Sequence, residues 1–74
     1  MLDEDVVNHP SHYTYGHVEC IDAIQASMTH DEFLGYLKGN VMKYLWRYRL
    51  KGREAEDLRK AQWYLDKLAS SYDS

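Results

Sequence analysis

The chain has 74 residues, a formal net charge of −3 and 45% hydrophobic residues, which suits one small globular domain and is too apolar for a disordered tail. Its single cysteine, Cys20, excludes a disulfide-stapled secreted scaffold and fits a reducing cytoplasm. No run of about 20 apolar residues and no charged-then-apolar leader is present, so neither a membrane span nor a signal peptide is expected.

In chain order, residues 1–15 read as an irregular arm. Pro10 fixes its own backbone and pushes His9 toward an extended conformation. His9, His12, Tyr13, Tyr15 and His17 crowd this segment, where imidazoles offer phosphate binding, proton transfer or metal ligation. Val18, Ile21 and Ile24 at spacings of three predict a short helix over about 17–27, with Cys20 as a small core residue.

Thr29 and Glu32 form a capping box that opens a long helix over about 30–51. Leu34, Leu37, Val41, Leu45 and Tyr48 supply its apolar face, and Gly52 is its left-handed stop. Gly35 and Gly39 lie one turn apart inside it, at a cost that close approach of another helix or a ligand would offset. A third helix over about 54–72 opens with Glu54, Glu56 and Asp57 at its positive end. Leu58, Ala61, Leu65, Leu68 and Tyr72 give it a narrow seam suited to helix pairing. The short connection at Gly52 makes the two long helices an antiparallel hairpin. No stretch alternates with period two for long enough to call for a sheet. The expected fold is therefore all-α: one domain over 1–74 with a short first helix, two long ones and the arm. So small a core, without disulfides, also predicts a homo-oligomer.

Charge is segregated along the chain. Residues 1–37 carry seven acidic groups and no Lys or Arg, whereas 38–74 carry all nine basic groups and five acidic ones. Overall acidity argues against a dedicated duplex-DNA binder, whose affinity rests on many cation–phosphate contacts. The basic stretch from Lys38 to Arg53 suits a small phosphorylated ligand, or head-to-tail pairing of opposite faces between subunits. Tyr36, Asn40, Lys43, Arg47 and Lys51 recur at helical spacing on one face, with Tyr44 beside them. Lys and Arg there match phosphate oxygens, Asn offers donors and acceptors, and Tyr44 offers a ring to a base. The plain alternative is a solvated basic face on a long helix. On the phosphate reading, Arg47→Ala weakens ligand binding and leaves the helix intact.

Two acid pairs, Glu19 with Asp22 and Glu54 with Asp57, have the i,i+3 spacing with which all-α pyrophosphohydrolases of the MazG kind hold Mg2+. Acids in a first helical turn are more often dipole partners, so Glu19 and Asp22 stand only as an alternative metal pair. No cofactor is assigned, and Mg2+ stays open through these pairs. No glycine-rich phosphate loop is present, so any phosphate site is built from side chains and helix faces.

Four blocks carry a resemblance: Asn8-His9-Pro10-x-His12-Tyr13; Gly16-x-x-Glu19-x-Ile21-Asp22; Phe33-Leu34-x-x-Leu37-Lys38-Gly39-Asn40-Val41-x-Lys43-Tyr44-x-x-Arg47-Tyr48; and Glu56-Asp57-Leu58-x-Lys60-Ala61-x-Trp63-Tyr64-Leu65. Over roughly residues 8–68 the chain resembles the SaV-like small proteins of tailed bacteriophages, commonly labelled phage nucleotide kinase. The resemblance implies a phage protein acting in the bacterial host cytoplasm, a deoxynucleotide ligand and an oligomer. It places Lys38, Asn40, Lys43, Arg47, Lys51 and Lys60 at the phosphates or nucleotide, and Tyr13, Tyr44 or Trp63 against the base. His9 belongs to the arm motif, and His12 is the candidate proton shuttle. The implied activity is a (deoxy)nucleoside monophosphate kinase without a P-loop. The alternatives are a non-enzymatic sponge for cyclic nucleotide or dinucleotide defence signals, and the Mg2+-dependent pyrophosphohydrolase.

Overall fold

The computed structural model describes residues 14–15, 18–50 and 52–73. Strand β1 (Thr14–Tyr15) pairs antiparallel with β2 (Val18–Glu19), Thr14 opposite Glu19 and Tyr15 opposite Val18. Three helices follow: α1 (Cys20–Ala26), α2 (His30–Arg47) and α3 (Glu54–Ser70). The protein is mostly helical, as its sequence suggests, with this minimal ladder added at the start. The first helix begins at Cys20 rather than near residue 17. Val18 and Glu19 are extended and committed to the ladder, and Glu19 (φ −83°, ψ 147°) is the N-cap of α1. Two-residue strands are too short for alternation to reveal them.

The start of α2 follows from its capping box. The Thr29 N–H donates to Glu32 Oε1 at 2.8 Å, and the Glu32 N–H donates to Thr29 Oγ1 at 3.2 Å. Two N–H groups at the helix start, where intrahelical partners run out, are thereby satisfied. Its end comes at Arg47, short of the expected Leu50 or Lys51. The Leu50 N–H bonds the Arg47 carbonyl at 2.9 Å, an i→i−3 bond that tightens the last turn. Gly52 then reverses the chain with φ +70°, a conformation that favours glycine.

α3 starts at Glu54 as its acidic first turn suggests, although Arg53 at the N-cap makes no side-chain cap bond. It closes at Ser70, two residues before the expected end. The Ser70 and Ser71 hydroxyls both donate to the Lys67 carbonyl, at 2.9 and 3.0 Å, which satisfies the final turn locally.

The core lies between α2 and α3, where Phe33, Leu37 and Ala61 are buried. The α3 seam is only partly used: Ala61 is enclosed, while Leu58, Leu65 and Tyr72 stay exposed. Cys20 is exposed, not part of the core, because α1 buries no residue at all. Nothing lies within 4 Å of a Cβ built on Gly35 or Gly39, so no helix of the described chain approaches them. Among the described residues no helix is long and apolar enough to cross a membrane.

Candidate functional site

Because the chain folds back at Gly52, residues equally distant from it meet across the α2–α3 hairpin. Arg47 and Asp57 are each five residues from Gly52, and Arg47 Nε donates to Asp57 Oδ2 at 3.2 Å. The Asp57 side chain is 3% exposed and that of Arg47 35%. A carboxylate so enclosed requires a charged or hydrogen-bonding partner, and Arg47 supplies both. One turn along α3, Lys60 Nζ pairs with Glu56 Oε2 at 3.1 Å.

Tyr44 and Lys60, each eight residues from Gly52, form the next rung. Lys43 Nζ, Arg47 Cζ and Lys60 Nζ lie 4.6, 4.8 and 5.5 Å from the centre of the Tyr44 ring. The negative face of an aromatic ring attracts cations at such distances. Tyr44 also stacks on Tyr64, with centroids 5.9 Å apart and planes 14° from parallel. Trp63 and Tyr36 both meet Tyr64 edge-on, at 4.9 and 6.2 Å, and Tyr36 stacks on Phe33 at 5.9 Å. The ring cluster is thus continuous from the buried core to the cations.

Among the described residues, three cations face two carboxylates here, Asp57 and Glu56, with one positive charge in excess. Asp57 holds Arg47 through Nε, so the terminal guanidinium nitrogens remain the donors that an anion would meet. Such a surface favours an anion that also carries an apolar or aromatic part.

Asn40, Lys43, Tyr44 and Arg47 come from one face of α2, and Lys60 and Trp63 from α3. Asn40 spends one donor on the Tyr36 carbonyl, from Nδ2 at 2.9 Å. Tyr44, expected to lie against a base, is stacked on Tyr64, and Trp63 meets the same ring edge-on. Lys38 is exposed and sits about 200° around the helix from Tyr36, off this face. Lys51, His9, His12 and Tyr13 lie outside the described residues.

The acid pairs are not arranged as their spacing suggests. Glu19 ends β2 while Asp22 lies in the first turn of α1, so the two do not occupy successive turns of one helix. Glu54 is exposed while Asp57 is buried against Arg47. Among the described residues no group of three His, Cys, Asp or Glu side chains is placed to share a metal ion.

Asp57, read from the sequence as a dipole partner or one of an acid pair, and Tyr64, quoted only within a motif block, take roles here that the sequence pattern did not give them. For Asp57 the signal lay in reflection through Gly52, which pairs Arg47 with Asp57 as it pairs Tyr44 with Lys60. A periodicity read along one helix at a time does not carry it.

The model of a family described as a protein of unknown function, DUF3310, matches residues 7–66. The gene 1.7 protein of Enterobacteria phage T3 is 44% identical over 62 residues, covering 78% of this chain and 38% of the relative. The nucleotide kinase gp1.7 of Escherichia phage T7 is 42% identical over 62 residues, covering 78% of this chain and 32% of the relative. The chain therefore spans about a third of the length of these curated relatives. No solved structure matches it. With the family pattern running through α1, α2 and most of α3, the chain belongs to the DUF3310 family, whose curated relatives here are phage proteins.

Proposed function

We propose that this chain binds a nucleotide at the cation cluster around Tyr44 and acts as a (deoxy)nucleoside monophosphate kinase in the host cytoplasm. The observation that carries this reading is the gathering of Lys43, Arg47 and Lys60 within 5.5 Å of one ring centre, with one surplus positive charge. The name of the T7 relative, nucleotide kinase, supports the ligand class. Phosphoryl transfer asks mainly for positioning and neutralisation of phosphate charge. Lys43, Lys60 and the free edge of Arg47 neutralise the phosphates, Asp57 fixes the plane of Arg47, and Trp63 lies against the base. His12 and Tyr13 of the arm are the remaining candidates for contact with the nucleotide.

The burial of Asp57 against Arg47 removes one acid from the second pair and counts against the pyrophosphohydrolase. The test is incubation with a panel of deoxynucleoside monophosphates and triphosphate donors, with and without Mg2+, followed by separation of products. A kinase converts monophosphate to diphosphate. Nucleotide bound but recovered unchanged assigns the chain to sequestration instead, and failure to bind any member rejects the site.

A further inference from the structure

On the side of α2 away from α3, Gly35, Gly39, Met42 and Trp46 follow one another at spacings of four, three and four, a single stripe, and Leu50 continues the spacing in the turn beyond Arg47. The stripe is bare. Trp46 is 84% exposed, Leu50 74% and Met42 61%, and both glycines face open space. It lies across the helix from Phe33, Leu37 and Tyr44, which face the hairpin interior. The buried apolar residues of the described chain are Phe33, Leu37 and Ala61, so its largest exposed ring stands outside a very small core.

We infer that a second copy of this chain covers the stripe, with the two α2 helices antiparallel about a twofold axis near residues 40 and 41. Size complementarity sets this direction. Gly35 and Trp46 are equidistant from that point, and so are Gly39 and Met42. An antiparallel pair therefore seats each Trp46 on the other copy's Gly35 and each Met42 on its Gly39. A parallel pair sets Trp46 against Trp46 and glycine against glycine, which leaves gaps.

Charge selects the same direction. Asp31 at the start of α2 and Arg49 just beyond its end lie on the same flank of the stripe. The twofold brings the Asp31 flank of one copy beside the Arg49 flank of the other within one residue of register, whereas parallel packing leaves the two 18 residues apart in register. The glycines thus receive the close approach that the described chain does not itself provide. Tyr44 and Arg47 lie off this stripe, while Lys43 flanks it on the side opposite Asp31 and Arg49, so pairing is tested at Trp46 and the glycines and not at Lys43.

Sedimentation equilibrium of the full chain at tens of micromolar reads this out. The expected result is a dimer, or a larger assembly of even number. Trp46→Ser weakens association by about thirtyfold, the scale of an interface hot spot. Alanine is a better helix former than glycine, so Gly35→Ala with Gly39→Ala preserves or raises helicity by circular dichroism while association falls. Asp31→Arg and Arg49→Asp each weaken association, and the two together recover it. A monomer, including one whose Trp46 is shielded by its own arm, overturns the inference. So does an assembly unmoved by Trp46→Ser and the glycine changes, or one in which the charge exchange fails to recover.

Discussion

Arg47 shows how one side chain is held by the fold while facing the site. Its Nε is bound to a carboxylate that is almost wholly enclosed, so Arg47→Ala does more than remove a donor. It leaves Asp57 charged and unpaired, which costs about 3 kcal/mol of folding stability. This corrects the expectation that the helix tolerates the change, and chemical denaturation measures it directly. Arg47→Lys keeps a cation near Asp57 but loses the planar fork, so stability falls less than in the alanine variant while nucleotide affinity falls in both. Lys43 is exposed and rests on Tyr44. Lys43→Ala therefore leaves stability within about 0.5 kcal/mol and weakens nucleotide binding by about 1.5–3 kcal/mol, a split that calorimetric titration beside thermal melting resolves.

The helix ends show which elements are legible in a sequence and which are not. Thr29 and Glu32 announce their box because both bonds are local and both residue types are specific to it; Gly52 announces the turn for the same reason. Thr29→Ala is expected to cost about 1 kcal/mol. Gly52→Ala is also destabilising, since it forces a side chain into φ +70°, and either loss appears as a lower denaturation midpoint. The end of α2 at Arg47 was hidden because an i→i−3 bond from Leu50 leaves no residue signature. The β1–β2 ladder was hidden because its partners contribute only two residues each. Asp57 looked like an ordinary dipole partner in a first turn, and only the hairpin turns it inward onto Arg47. The candidate site was thus half legible. The α2 stripe of Asn40, Lys43, Tyr44 and Arg47 could be read from spacing, whereas Tyr64 and the counterions depend on folding α3 back upon it.

At the scale of the molecule, the segregated charge acquires a location. The basic half of the sequence supplies the cations at Tyr44, and its own acids, Asp57 and Glu56, hold two of them in place. Cations fixed in this way need less help from a metal ion to neutralise phosphate charge. Screening by salt should then weaken nucleotide binding, whereas removal of divalent metal should leave it intact. The measurement that bears most directly on this account is calorimetric titration of deoxynucleoside monophosphates in the presence of a chelator, repeated at rising salt and with Glu19→Gln/Asp22→Asn. The account predicts binding that survives chelation, declines with salt and is unchanged or tightened by the amide substitutions. Binding that requires Mg2+ and is abolished by those substitutions contradicts it.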